Sequence, residues 1–535
     1  MSKTLPKTLT EFSQFAAETF LQTAVFVDDK IYDRRTGSVS APKSLEPPVR
    51  ARKSALKSVE KRSTSETLAN NDAPSVVDEY SPQEIVTSFA KKRILCSLYQ
   101  PKRGASVGKN SEVYQLCLAS DIVIVDWDLY GDAGTNATEL VCNLIEESLK
   151  ETPWQMRLIL IYTDETNLFG VANNIFERLQ NSLKDDVTPS RAGLVLTTPN
   201  SRIVVFGKPG HRAAQYENDI IPEGQLAERS IIEFSNIASG MLQGAVLLGL
   251  SKIRENSRKI LSKFAPSLDA AFLTHRALSV PDDASDHVLP LLMAEIQSVL
   301  EDQLPNPIIT ETLIEDWCGS EWAPSGHARS AIGSSDPHKV AKAFCLKGFD
   351  AVKSNLTRKK TFTFLLDSLT SKANHEFAAL MSQRTHYEKV TRSLKLGTIL
   401  KDQRGKFFLC LQPVCDSVRI EGSRKFLLAE LEVVKDSAFN LVVQQENDWL
   451  ELSFKPKVFS SALVEFRSSG GNGAVISEEN GAMFVFTAKG NRKKYYWIAQ
   501  LKAEHAQGEA EEFARQLSRV GLTESGWLRL RAKGQ

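Results

Sequence analysis

Short apolar runs rich in β-branched residues alternate with helix-like segments over the first two fifths of the chain. The apolar runs lie at 23–28, 94–98, 121–126, 157–163 and 202–207. Helical spacing between them predicts helices at about 81–92, 111–120, 134–150 and 166–182. Strands that alternate with helices form parallel sheets covered on both faces. We therefore predict a doubly wound, flavodoxin-like α/β domain with a five-stranded parallel sheet.

The pattern changes twice after this domain. Residues 226–400 show mainly helical spacing, beginning with what we expect to be one long helix over 225–265. From residue 401 onward, alternating apolar and polar positions predict an antiparallel sheet or small barrel, closed by a helix at about 508–520. We thus expect three parts: an α/β domain at 1–225, a helical region at 226–400 and a β-rich domain at 401–535.

A segment of different composition interrupts the first domain at about residues 33–80. It is rich in Ser, Pro, Ala and charge, and between residues 31 and 63 it carries nine Lys or Arg against three acids. Such a composition cannot bury enough apolar surface to order the chain. We expect a long disordered insertion, with a basic contact arm for an acidic partner as the alternative.

Composition and charge exclude some classes of protein. With 66 Lys and Arg against 65 Asp and Glu, the formal charge is +1, so no global attraction to nucleic acid or anionic membranes is expected. The seven cysteines include no C-x-x-C pair, which argues against a disulfide framework and favours a reducing, cytoplasmic location.

One uncharged stretch, residues 234–251, has nearly the length of a membrane span and contains Gly240-x-x-x-Gly244. Its several polar side chains make it a poor span. We expect a buried helix or one that forms a homodimer, and no membrane association.

Polar residues stand where the predicted parallel strands end. Asp28 and Asp29 end the first strand, Asp126 the third and Thr163 the fourth, and Lys208 follows the fifth. Because the carboxyl ends of parallel strands meet at one edge, these side chains should share a pocket. Clustered carboxylates favour Mg²⁺, and Lys and hydroxyl groups are donors to phosphoryl oxygens. The set suits phosphoryl transfer onto a carboxylate.

This arrangement resembles the receiver domain of two-component response regulators, over roughly residues 20–225. The motifs that carry the resemblance are VDD (27–29), VIVDWDL (123–129), IYT (161–163) and GKPG (207–210). The resemblance implies that Asp126 accepts a phosphoryl group from a histidine kinase. It also implies a Mg²⁺ site made by Asp28, Asp29, Asp126 and the backbone carbonyl of Asp128. Thr163 and Lys208 would then bind the phosphoryl oxygens.

Three features depart from the usual receiver pattern. The insertion after Asp29 is unusually long, and Asp164 follows Thr163 where receivers have a small residue. Val205 occupies the position of the usual switch aromatic, while Phe206 should face the other side of the sheet. These departures argue against the usual coupling between the site threonine and a switch aromatic residue. They do not argue against acceptance of a phosphoryl group by Asp126.

The function of the remaining residues stays open at this point. The segment 316–338 contains Cys318, Ser325, His327 and His338, yet no nucleophile elbow or zinc motif. A basic and aromatic stretch at 489–497 suits an ordinary hairpin better than nucleic acid binding.

Three functions therefore compete. The first is a phosphorylated response regulator that relays or buffers a signal, with a downstream effector protein as a further partner. The second is an unphosphorylated adaptor, and the third is a C-terminal effector enzyme controlled by the receiver. The overall layout also resembles the receiver proteins of prokaryotic antiphage phosphorelays of the Detocs type, which would imply a role in antiviral defence.

Overall fold

The structure is a computed structural model of the 535-residue chain. It describes residues 6–32, 81–151, 155–210, 214–278, 288–305, 307–333, 335–357, 360, 364–366, 372–387, 389–434, 439–446, 448–455, 460–470, 473–481, 483–490 and 492–517. The predicted insertion at about 33–80 lies outside these residues. The chain divides into two compact units, residues 1–274 with 286–322 and residues 275–285 with 323–535.

The first unit contains a mostly parallel sheet. Its strands are β1 (Thr23–Val27), β2 (Leu95–Tyr99), β3 (Ile122–Val125), β4 (Arg157–Thr163), β5 (Thr188–Ser190), β6 (Val195–Thr197) and β7 (Ser201–Gly207). Their order among the described residues is β2-β1-β3-β4-β7-β6-β5, and the first five strands in that order are parallel. The predicted five-stranded parallel sheet is confirmed. The sequence reading missed the antiparallel strands β5 and β6, which extend the sheet beyond β7.

Helices cover both faces of this sheet, as expected of a doubly wound domain. Those that pack against it are α1 (Leu9–Phe20), α2 (Pro82–Lys91), α3 (Glu112–Leu118), α4 (Thr135–Glu151), α5 (Leu168–Leu183), α6 (Leu226–Ser235) and α7 (Met241–Lys263). Helices α8 (Asp269–Leu278), α9 (Val288–Gln303) and α10 (Glu311–Asp316) follow in the chain, and α9 packs against α7. Alternate strand residues point to opposite faces. Val205 therefore packs in a core with α3, α4 and α5, whereas Phe206 packs in a second core with α1, α2, α6 and α7.

The predicted long helix at 225–265 is two helices, α6 and α7, separated by residues 236–240. Gly240 precedes α7 in an extended conformation, and Gly244 lies against α1. A Cβ at Gly244 would lie 2.6 Å from Cε1 of Phe12, so only glycine permits this close approach. Both helices contribute to the core of the first unit. Among the helices that the structure describes, none is both long enough and apolar enough to cross a membrane.

The second unit combines short helices with an antiparallel sheet. Its helices are α11 (Gly326–Ile332), α12 (Pro337–Lys347), α13 (Lys372–Ser382) and α14 (Ala503–Leu517). Its strands are β8 (Thr398–Asp402), β9 (Phe407–Cys410), β10 (Ser423–Val434), β11 (Leu441–Gln445), β12 (Asp448–Phe454), β13 (Ser461–Arg467), β14 (Glu478–Asn480), β15 (Met483–Thr487) and β16 (Lys494–Gln500).

The strand order is β11-β12-β10-β9-β8-β16-β15-β14, with β13 paired to β10. The antiparallel C-terminal sheet and the preceding helical region are therefore confirmed. The predicted division into three parts stays a prediction.

Candidate functional site

Four strands of the parallel sheet end at one edge and place the predicted site residues there. Asp28 follows β1, Asp126 follows β3, Thr163 ends β4 and Lys208 follows β7. The backbone registers of β1, β3, β4 and β7 align these ends. All four side chains are buried, as is that of Asp29. The structure thus brings polar groups together beneath the surface, where they need compensating partners.

Lys208 is the cation of the pocket. Its Nζ donates to Oδ1 of Asp126 at 2.7 Å and to Oδ2 of Asp28 at 3.0 Å. Hydrogen bonds between ionised groups are the strongest in proteins, and a buried pair depends on them. The Lys208 ammonium therefore holds two carboxylates of the pocket in place.

The three aspartates could hold a metal ion. One carboxylate oxygen each of Asp28, Asp29 and Asp126 lies within 4.8 Å of the others. Oδ1 of Asp29 and Oδ2 of Asp126 are buried and accept no hydrogen bond from the described residues. The Asp29 acceptor fits a hard cation such as Mg²⁺, which prefers carboxylate oxygens and retains water ligands.

The other oxygens of this cluster are already oriented. Oδ1 of Asp28 accepts from the Lys30 N–H at 2.7 Å, and Oδ2 of Asp29 accepts from the Tyr130 N–H at 2.9 Å. Tyr130 has φ +64°, a conformation that side chains rarely adopt. Its hydroxyl donates to the Pro101 carbonyl, which ties the loop after β3 to the loop after β2. Tyr130 is a site residue that the sequence reading missed, since this contact is not local.

Burial dominates the acid–base properties of the pocket. Desolvation raises the pKa of Asp126 to about 7, since the opposing effect of Lys208 is smaller and Asp28 adds to the rise. Desolvation also raises the pKa of Asp29. For Lys208, burial favours the neutral amine, but the carboxylates of Asp126 and Asp28 outweigh it and raise its pKa. The lysine is therefore cationic at neutral pH.

Thr163 is held beside Lys208 through the backbone. The Lys208 N–H donates to the Thr163 carbonyl at 2.7 Å. The Thr163 hydroxyl is fully buried and accepts from the Glu165 N–H at 3.1 Å. A hydroxyl in this position can donate to an oxyanion that enters the pocket.

Comparison with protein families identifies this part of the chain. Residues 20–213 match the family model of the response receiver domain. The chain carries a response-regulator receiver domain. Searches among curated proteins and among solved structures found no significant match. The receiver match covers the strands and the acidic pocket of the first unit and does not extend to the second.

The side chain of Asp128 has a partner outside the carboxylate cluster of the pocket. Oδ1 of Asp128 accepts from the Ala133 N–H at 3.0 Å, so its side chain supports the loop before α4. The group of carboxylates close enough to share an ion comprises Asp28, Asp29 and Asp126. The expectation that the backbone carbonyl of Asp128 contributes to the metal site stays a prediction.

Two charged residues flank the receiver pocket at the surface. Nζ of Lys30 lies 3.9 Å from Oδ2 of Asp164, and both side chains are about half exposed. Asp164 is the acid that departs from the usual receiver pattern. The sequence reading missed its partner Lys30, although this residue directly follows the acidic pair.

Ser325 and two lysines of the basic and aromatic stretch have structural partners within the second unit. The Ser325 hydroxyl accepts from the Ala328 N–H and so caps α11. In the basic and aromatic stretch, Lys493 pairs with Asp402 at 2.8 Å and Lys489 with Glu465 at 2.8 Å. These lysines are therefore already neutralised by carboxylates.

Proposed function

We propose that the receiver domain accepts a phosphoryl group on Asp126 from a phosphohistidine of a histidine kinase, and relays or buffers that signal. The main support for the proposal is the environment of Asp126. One of its oxygens is bound by Lys208, while the other is buried and accepts no hydrogen bond from the described residues. That second oxygen is the nucleophile.

The transfer requires one bond to form and one to break. Oδ2 of Asp126 attacks the phosphorus as the P–N bond of the phosphoimidazole breaks, and the electron pair returns to the imidazole ring, which takes a proton. The product is an acyl phosphate on Asp126. Lys208 and the Thr163 hydroxyl donate to the phosphoryl oxygens and stabilise their charge.

Asp28, Asp29 and Asp126 would hold Mg²⁺, together with the backbone carbonyl of Asp128. The bound ion would offset the negative charge of the phosphoryl group beside three carboxylates. The protein residues supply the geometry: the Tyr130 N–H fixes Asp29, and the Lys30 N–H fixes Asp28.

A labelling experiment tests the proposal. Incubate the full chain with acetyl phosphate and Mg²⁺, and measure addition of one phosphoryl group by intact mass. We expect wild type and Asp128→Asn to be labelled and Asp126→Asn not to be. An unlabelled wild type, or an equally labelled Asp126→Asn, would overturn the proposal in favour of an unphosphorylated adaptor.

We propose a cytoplasmic phosphorelay, with the second unit as output or partner platform, and a role in antiphage defence. The layout of a receiver followed by a helical and β-rich region motivates this role. Cells that express the chain with its histidine kinase should restrict phage in plaque assays, and Asp126→Asn should change the restriction. Equal plaque counts with and without the system would reject the role.

A further inference from the structure

Tyr162 lies directly beneath the Lys208 ammonium. Its ring is fully buried in the core that contains Phe26 and Phe206. Nζ of Lys208 lies 5.8 Å from the centre of the ring, within the range of a cation–π attraction. Lys208 therefore contacts Tyr162 as well as Asp28 and Asp126, and Tyr162 lies on the face of the sheet opposite to Val205.

The hydroxyl of Tyr162 reaches the chain that leads into α6. It donates to the Ile221 carbonyl at 2.7 Å. The Ile221 N–H donates to the Gly207 carbonyl at 3.0 Å, and Ile220 forms a parallel bridge with Gly207. Residues 220–221 are thus held by the end of β7 on one side and by Tyr162 on the other. A short 3₁₀ turn at Glu223–Gln225 then leads into α6.

Helix α6 is clamped to the edge of the sheet. The carboxylate of Glu233 is fully buried and accepts from Arg191 at 2.6 Å and from Arg202 at 2.9 Å. These ion pairs join α6 to β7 and to the turn between β5 and β6.

We propose that Tyr162 transmits the phosphorylation state of Asp126 from Lys208 to residues 220–235. This inference rests on the proposed function of Asp126. A phosphoryl group on Asp126 offers new oxygens to Lys208, which leaves its present contacts with Asp28 and Asp126. The ammonium moves relative to the Tyr162 ring, and the hydrogen bond from the Tyr162 hydroxyl to the Ile221 carbonyl changes as a result. Each step joins neighbouring groups, and the coupling itself is what the exchange experiment below measures.

The opposite face offers a matched control. There, the hydroxyl of Tyr216 lies 3.3 Å from Oδ1 of Asn167 and accepts from the Phe169 N–H at 3.4 Å. These residues belong to the start of α5, close to Thr163 in the chain. Tyr162→Phe and Tyr216→Phe each remove one hydroxyl, on opposite faces of the same sheet.

Hydrogen–deuterium exchange tests the inference. Measure the exchange of peptides that cover 220–235, with and without acetyl phosphate and Mg²⁺, in the full chain. We expect phosphorylation to change the exchange rate of these peptides by about three- to ten-fold. A change of this size corresponds to the net free energy of one hydrogen bond. Tyr162→Phe should be labelled on Asp126 like wild type but lose this change, and Tyr216→Phe should keep it.

The outcomes separate this inference from the proposed function. A wild type that takes no label refutes both. A labelled wild type with unchanged exchange at 220–235, or a response that survives in Tyr162→Phe, refutes the role of Tyr162 alone. Because Tyr162 is buried, p-aminophenylalanine at position 162 provides a rescue: it keeps a ring and a donor, and must restore the response. Failure of this rescue would also refute the role.

Discussion

The Lys208 ammonium lies 2.7 Å from Oδ1 of Asp126, and the same nitrogen lies 3.0 Å from Oδ2 of Asp28. One buried cation thus balances two buried carboxylates. Removing one partner of a buried ion pair costs about 3–5 kcal/mol. We expect Lys208→Met to lose stability of that order in urea unfolding. Since Mg²⁺ can replace the missing charge, it should raise the melting temperature of this variant more than that of wild type.

Lys30→Met is the control for this prediction. Lys30 forms an exposed pair with Asp164 at 3.9 Å, and such pairs contribute about 0–1 kcal/mol. Equal losses of stability in the two variants, or an equal effect of Mg²⁺ on both, would contradict the balance of charge described for Lys208.

Asp29 should matter more for Mg²⁺ than Asp128, although both are aspartates beside the pocket. Oδ1 of Asp29 is a buried acceptor without a hydrogen bond from the described residues, whereas Oδ1 of Asp128 accepts from Ala133. We expect Asp29→Asn to lower Mg²⁺ affinity at least about ten-fold and Asp128→Asn to leave it nearly unchanged. Titration of the buried Trp127 fluorescence measures both, with EDTA to reverse the signal. Equal losses of Mg²⁺ affinity in the two variants would show that the metal does not bind at the Asp29 oxygen.

Two glycines of α7 should respond to alanine in opposite directions. A Cβ at Gly244 would lie 2.6 Å from Phe12, whereas a Cβ at Gly249 meets Leu300 at an ordinary 3.7 Å. Alanine gains about 1 kcal/mol of helix propensity at either site. At Gly244, overpacking of about 1–3 kcal/mol opposes this gain, so we expect net destabilisation. Denaturant unfolding compares Gly244→Ala with Gly249→Ala, and stabilisation by both would refute the close contact.

The buried carboxylate of Glu233 should be essential for the stability of the first unit. Glu233→Gln removes the charged acceptor that Arg191 and Arg202 share, and we expect a loss of about 3 kcal/mol or more. Glu228→Gln, on the exposed side of the same helix, should change stability by less than about 0.5 kcal/mol. Thermal unfolding of both variants checks the difference. Similar melting temperatures would show that the arginines hold α6 without the carboxylate.

Asp402 should make the second unit sensitive to acid. Burial alone would raise its pKa, but Lys493 and the N–H groups of Lys406 and Arg404 lower it below its usual value. A lowered folded-state pKa contributes stability above the unfolded value of about 3.9, and that stability is lost as the pH falls. Asp402→Asn keeps an oxygen acceptor but no charge. Denaturant unfolding at about pH 3 and pH 6 should show that this variant loses less stability in acid than wild type does. An identical loss of stability would exclude Asp402 as a source of the acid sensitivity.

Much of the receiver pocket could be predicted before the structure. Asp28, Asp126, Thr163 and Lys208 each end a strand that is a continuous apolar run, and parallel strands place their carboxyl ends together. The alternation that separates Val205 from Phe206 is equally local. By contrast, the hydroxyl of Tyr130 donates a hydrogen bond to Pro101 and that of Tyr162 to Ile221. Both acceptors are distant from the tyrosines in the sequence. The break between α6 and α7 also escaped prediction, because helical periodicity continues across it.

The sequence by itself determined the five parallel strands of the receiver, their order along the chain and the set of acidic, hydroxyl and ammonium groups at their ends. These features follow from the periodicity of neighbouring residues. Only the tertiary structure decided which groups touch. It paired Lys208 with two carboxylates, left one oxygen of Asp126 without a hydrogen bond from the described residues, and linked Tyr162 to the start of α6. Such contacts depend on how distant segments pack, which the local pattern does not encode.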